Sequence, residues 1–318
     1  MTAVAPSART GGHRATARPA TRRRVDAIAV LALAAAAACG CAHAPRGSGG
    51  QDASAGIASD SVTAGLWHMD ETGGTLVADA GPFRIAGRAG VDTRTDFGRI
   101  RGARLFTRSI DSFVYVPYNP VLEAGSSLTI EAWIYLNAYG QYEDTPIAAR
   151  WTQVASEQSW MFSVLGSDAR PPLAFLASPG YHDGLIAQGP AGGRGRLMFA
   201  FQPEDASPPR AYFSTRVIPL SKWVQVAVSF DEKVVRLWID GDLDAQFASR
   251  GAIRDSRAAL IIGNYLDPRW LSDFGGDLKV TTAPDMNPYY AFDGFIDELR
   301  ISNAARADFG YAKGLRPR

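Results

Sequence analysis

Residues 222–247 leave this chain little choice but hairpins. Trp223-Val-Gln-Val-Ala-Val-Ser-Phe230 alternates apolar and small or polar side chains, the period of a strand with one buried face. Asp231-Glu232 begins a turn, Lys233–Ile239 forms the next strand, and Asp240-Gly241 turns the chain into Leu243–Phe247. An Asp-Gly pair between alternating runs favours a two-residue hairpin loop, because both positions tolerate positive φ. Ser127–Leu136 alternates likewise, with Leu128, Ile130, Ala132, Ile134 and Leu136 on one side and Thr129, Glu131, Trp133 and Tyr135 on the other.

The same punctuation continues along the body. Further strands are expected at 65–69, 104–106, 113–116, 147–151, 160–165, 173–176, 197–201, 211–217, 260–262 and 292–301. Many short strands separated by Gly, Pro, Asn and Asp indicate a two-sheet antiparallel sandwich. Asn303–Tyr311 is the one segment expected to be a short helix. Long Gly- and Pro-rich loops at 168–172, 178–196, 202–210 and 266–290 mark where binding surfaces commonly lie on such a scaffold. At 318 residues the chain is long enough for two domains, but a large sandwich reaches this size as one.

The first fifty residues have another character. Arg22, Arg23 and Arg24 precede an apolar run from Ala27 to Ala38. Such a run spans about 18 Å as a helix, short of the roughly 30 Å hydrocarbon core, and matches an export signal. Cys39 follows Ala36-Ala37-Ala38, and Cys41 follows Gly40. Either resembles the acylated cysteine of a bacterial lipoprotein, and Cys39 is the preferred choice. Thr21–Val25 also resembles a weak twin-arginine signal. Residues 1–41 are thus expected to be the signal, 42–61 a flexible tether, 62–311 the folded domain and 312–318 a tail. With no other cysteines, the domain has no disulfide framework.

Net charge is +1, but the first fifty residues hold seven Arg and one Asp. The remaining 26 basic and 31 acidic residues leave the body at −5, without the basic footprint of a nucleic-acid binder.

Four motifs, in order, resemble the laminin-G-like, concanavalin A-like jelly rolls of bacterial exported proteins. They are Gly65–Gly73 followed by Val77–Gly81, Ser127–Ile134, Lys222–Asp231 leading into Val235–Gly241, and Ile262-Gly263 before Phe292–Ser302. The resemblance covers roughly residues 62–311 and implies an all-β jelly-roll sandwich. Compared with the short family form, the chain carries an insertion around 137–220. The resemblance also implies that the opening Asp-containing segment lies close to the final Ile-Asp-Glu strand. Asp70, Asp79 and Asp297 are therefore candidate ligands for a structural Ca²⁺, which takes several hard oxygens.

Catalytic constellations are missing from the sequence. The superfamily's glucanases often carry Glu-x-Asp-x-Glu on one strand, and no such triplet occurs. Asp297 and Glu298 are adjacent, so a regular strand would point them to opposite faces. His68 and His182 are the only histidines of the body and lack cysteine partners for a zinc site. Asp240, Asp242 and Asp244 imitate a calcium loop, but Ala245 and Gly251 occupy the positions of its glycine and glutamate. No Gly-x-Ser-x-Gly elbow or phosphate-binding loop is present.

Sugar recognition needs aromatic faces beside planar polar groups. Trp270, Tyr181, Trp151 and Tyr289, all in or beside loops, are the ligand candidates. Trp133, Trp223 and Trp238 lie in strands and are expected in the core or on a sheet surface. The expectation is an exported, lipid-anchored, non-catalytic surface or periplasmic module. Its partner would be a glycan or a cell-envelope protein, and it would meet the membrane only through its anchor. A glycan-active enzyme and a purely structural envelope protein are the alternatives.

Overall fold

The alternating runs become strands of two large sheets, antiparallel except where β10 (Ile186–Ala187) pairs in parallel with β12 (Arg210–Val217). A computed structural model describes residues 56–140, 144–166, 185–190, 192–281 and 290–309. The expected signal, both cysteines, most of the tether, the tail and the loop residues Tyr181, His182 and Tyr289 lie outside these residues. Nineteen strands, β1–β19 in chain order, form among them.

The front sheet contains β1 (Thr63–Trp67), β4 (Arg94–Phe97), β5 (Gly102–Phe106), β7 (Leu128–Leu136), β13 (Trp223–Phe230), β14 (Val234–Ile239), β15 (Asp242–Ala248) and β19 (Gly294–Ser302). Its order is β15-β14-β13-β7-β19-β5-β4, with β1 also pairing with β19. The back sheet contains β2 (Leu76–Val77), β3 (Gly87–Ala89), β6 (Val114–Val116), β8 (Thr145–Trp151), β9 (Gln158–Val164), β10 (Ile186–Ala187), β11 (Arg196–Phe201), β12 (Arg210–Val217) and β16 (Leu260–Ile262). Its order is β10-β12-β11-β9-β8-β16-β6-β3-β2. A separate hairpin, β17 (Leu271–Phe274) with β18 (Asp277–Val280), packs on its outer side through Leu271, Leu278 and Val280 against Phe113, Ile261 and Leu266. The stretch 145–217 supplies β8–β12, so it is built into the back sheet.

One core lies between the sheets. The front sheet contributes Leu128, Ile130, Ala132, Ile134, Val224, Val226, Val228 and Phe230, and the back sheet contributes Ile147, Trp160, Phe162, Phe199, Phe201 and Leu260. The Asp240-Gly241 turn forms as expected, with φ of 54° and 77°. Gly294 is required where β19 begins beside β7: its φ is 144°, and a Cβ there would collide with the Tyr135 carbonyl oxygen.

The helix expected at Asn303–Tyr311 does not form over its described residues, 303–309. Residues 303–309 instead run as an extended strap over the outer face of the front sheet. The strap has its own fastenings, which explain why it does not coil. Thr129 Oγ1 donates to the Ala304 carbonyl (2.6 Å) and accepts from the Arg306 amide (2.9 Å). Phe309 packs on Trp238 with ring centroids 5.1 Å apart. These contacts take the backbone groups and the apolar face that a helix would have used. Among the described residues no helix is long and apolar enough to cross a membrane.

Candidate recognition face and carboxylate cluster

The strand β19 carries a bulge that rearranges its acidic pair. Asp297 is opposite Trp133, while Arg300 is opposite Glu131, so β19 has one residue more than β7 between those rungs. Glu298 adopts φ of 55°, the left-handed conformation that such a bulge demands. Ile296 and Leu299 both face the core, so Asp297 and Glu298 fall together on the outer side. The expectation that they face opposite sides is therefore corrected, and the cause is the extra residue.

These carboxylates fasten loops to the sheet. Asp297 Oδ2 accepts from the Ile100 amide at 2.9 Å. Glu298 Oε2 accepts from the Ile57 amide at 2.6 Å, and both its oxygens lie 2.9 Å from His68 Nδ1. Asp70 Oδ1 accepts from the Gly102 amide at 2.9 Å, and its other oxygen is 3.5 Å from Arg101. Asp297 is fully buried and has one carboxylate oxygen, Oδ1, without a hydrogen-bond partner. Burial, aided by the nearby charges of Glu298 and Asp70, pushes its carboxyl up to about 9. The hydrogen bond to Glu298 raises the His68 imidazole above its ordinary value.

Of the three calcium candidates, Asp70 and Asp297 come together and Asp79 does not join them. Asp79 Oδ1 accepts from the amides of Leu66 (2.8 Å) and Gly81 (2.6 Å), and Oδ2 from that of Ile85 (2.7 Å). Its carboxylate is consumed in folding the 79–85 turn against β1. Asp297 Oδ1 has no hydrogen-bond partner, and Asp70 is near enough for its charge to act on the Asp297 carboxyl. No group of three or more His, Cys, Asp or Glu side chains suited to a metal forms among the described residues, so backbone carbonyls would have to complete such a site.

Of the four ligand candidates only Trp151 and Trp270 lie among the described residues, and neither is exposed. Trp151 is 1% exposed and packs with Met161, Leu165, Tyr265 and Tyr290 on the outer face of the back sheet. There Tyr265 donates its hydroxyl to Asp144 at 2.5 Å. Burial and the Asp144 charge push that phenol well above its usual range. Trp270 is half-buried at the base of the β17–β18 hairpin, where its carbonyl accepts from the Thr281 amide at 2.9 Å.

An aromatic cluster that sequence reasoning did not select occupies the front sheet. Register places Trp223, Tyr135 and Phe295 side by side across β13, β7 and β19. Their ring centroids are 5.7–6.1 Å apart, and all three residues are half-buried. Trp133, one rung along, is covered: Arg99 lies 4.9 Å over its ring, and Ile100 packs against it. At the other end Asn137 donates to Asp293 (3.1 Å), with Arg108 3.6 Å from the same carboxylate. The triad thus fills the gap left by the 98–101 loop, with planar amide, carboxylate and guanidinium groups beside it. The signal in the sequence was the polar-side position of Trp223 and Tyr135 in their alternating strands.

With sandwich, strand order and outer faces in view, the family assignment follows. The model of the concanavalin A-like lectin/glucanases superfamily, Laminin_G_3, matches residues 108–308. The chain belongs to this family. Among solved structures, this laminin-G-like chain is similar to the binding domain of Paraclostridial Mosquitocidal Protein 1. The TM-score is 0.51 at 12% identity, over 80% of this chain and 51% of that one. It also aligns with the Botulinum neurotoxin serotype G binding domain (TM-score 0.49, 11% identity, 80% and 50% coverage). Domain 4 of AbnA, an extracellular GH43 arabinanase from Geobacillus stearothermophilus solved with arabinotriose, gives 0.47 at 16% identity, covering 80% and 98%. The chain therefore spans about half the length of the two toxin domains. At these identities the likeness concerns the fold alone. No curated protein matches the laminin-G-like sequence.

Proposed function

We propose that this laminin-G-like protein is a non-catalytic recognition module, exported and held at the cell envelope by an acyl chain on Cys39 or Cys41. The Trp223–Tyr135–Phe295 triad is its ligand-contacting surface. The observation that carries this reading is the triad itself, three half-buried large aromatics side by side on the outer face of the front sheet, beside Asn137, Asp293 and Arg108. Aromatic π surfaces bordered by planar polar groups suit the CH-rich face of a sugar ring, and a glycan is the ligand we favour. The toxin neighbour, named for its binding domain, is compatible with a module of this kind.

A glycan-cleaving reading has one point in its favour, the raised Asp297 carboxyl beside Glu298. Both side chains are fully buried and committed to backbone amides, which weighs against contact with a substrate. Calcium, if bound, would be held by Asp70 and by Asp297 in its ionised form, so that binding would displace the Asp297 proton.

Binding of the full chain to an array of plant and bacterial oligosaccharides tests the proposal. Trp223→Ala should weaken a captured glycan at least about tenfold, in keeping with the loss of a central aromatic contact. Unchanged binding by that variant, or turnover of any oligosaccharide, would overturn it.

A further inference from the structure

The strands β1 and the β4–β5 hairpin follow one another along a single edge of β19. Along this edge the protein exposes large aromatics that serve no fold. Phe97 is 89% exposed, the highest value among the large apolar residues, and Phe83 is 54% exposed. Phe83 belongs to the 79–85 turn, which Asp79 fastens to β1 through the Leu66 amide. Positive charge accompanies both rings. Arg84 adjoins Phe83 and is exposed, and Arg94 is exposed on β4. The Arg101 side chain is 61% exposed, with only its 3.5 Å contact to Asp70. Carboxylates share the edge: Asp70 meets Arg101 and holds Gly102, Glu298 holds Ile57 and His68, and the exposed Asp96 accepts from the Phe97 amide. Among the described residues Arg84 and Arg94 are exposed and form no ion pair with a carboxylate, on a body whose net charge is −5.

The chain enters the domain at this edge. The Ile57 amide is bound by Glu298, the neighbour of the residue that binds the Ile100 amide. Fourteen residues lie between Cys41 and Gly56 in the sequence.

We infer that this edge is a membrane-contact surface. Phe83 and Phe97 enter the interfacial layer of an anionic bilayer, while Arg84, Arg94 and Arg101 pair with lipid phosphates. Aromatic rings favour that layer, and guanidinium groups pair with phosphate in bidentate geometry. The negative remainder of the body is repelled by the same lipids, which orients the sandwich edge-on and leaves the front-sheet triad facing sideways. The contact depends on the domain's own residues and does not require acylation.

The test uses the full chain with Cys39→Ser and Cys41→Ser, which removes acylation and every native thiol. Phe97→Cys in that background carries an environment-sensitive fluorophore, and Leu243→Cys, 48% exposed on the opposite edge strand, is the control. Vesicles of phosphatidylcholine with about one third phosphatidylglycerol should blue-shift the label at 97 and raise its emission about twofold, with little change at 243. Phosphatidylcholine alone should do much less, and adding Arg94→Gln with Arg101→Gln should remove most of the response. The local label separates this edge from any binding by the apolar N-terminal run. No response at 97, an equal response at 243, or indifference to lipid charge and to the arginines would each overturn the inference.

Discussion

Asp297 shows how one buried side chain couples the fold to solution conditions. Its carboxyl, pushed up to about 9, stays protonated in the folded protein at neutral pH, whereas it ionises near 4 in the unfolded chain. A raised folded-state value means that its contribution is complete below about pH 4 and is lost as pH climbs towards 9. The expected slope is about 1.4 kcal/mol per pH unit for this group. The raised His68 imidazole acts in the same direction, since the ion pair with Glu298 loses its positive partner as the ring deprotonates. In chelator, the wild-type melting temperature should therefore fall from pH 5 to pH 8, and Asp297→Asn should flatten that fall. Equal slopes for the two proteins would show that the carboxyl is already ionised. If Asp70 and Asp297 hold calcium, adding the metal at pH 8 should raise the wild-type melting temperature and leave the Asp297→Asn variant nearly unmoved.

At the scale of the element, the C-terminal strap and the β19 bulge decide which surfaces stay open. Phe309 is almost fully buried against Trp238, so Phe309→Ala should cost about 3 kcal/mol, measured by urea unfolding. A loss below about 0.5 kcal/mol would mean that the strap only rests on the sheet. These two elements also mark the limit of what could be read from the sequence. The strands of 127–136 and 222–247 were legible because alternation and the Asp-Gly turn are local signals. The strap was not, because its conformation depends on Thr129 and Trp238, distant in sequence. The bulge was invisible for a related reason: Glu298 bears no glycine-like mark of its positive φ, and its fastening to Ile57 lies 241 residues away. Asp70 and Asp297 were paired only through a family resemblance. The triad was overlooked because alternation places Trp223 and Tyr135 on the polar side without revealing which part of that side other segments cover.

For the molecule as a whole, the two sheets share one core without a cysteine cross-link in the domain. Unfolding followed by far-ultraviolet circular dichroism and by tryptophan fluorescence should therefore give coincident single transitions. Separated midpoints would reveal that the back sheet and its long loops melt independently. Both ends of the folded region are also fastened to the front sheet, and to each other. Arg300 donates to the Ala58 carbonyl (2.7 Å), and Arg306 grips both oxygens of Asp60 (2.6 and 2.8 Å). For a body moored through its N-terminal side, this has a mechanical consequence. Tension would reach the Glu298–Ile57, Arg300–Ala58 and Arg306–Asp60 links one after another before loading β1. Their sequential release would pay out on the order of 15 Å of slack, so a tug on the mooring would be absorbed at the margin while the sandwich stayed intact.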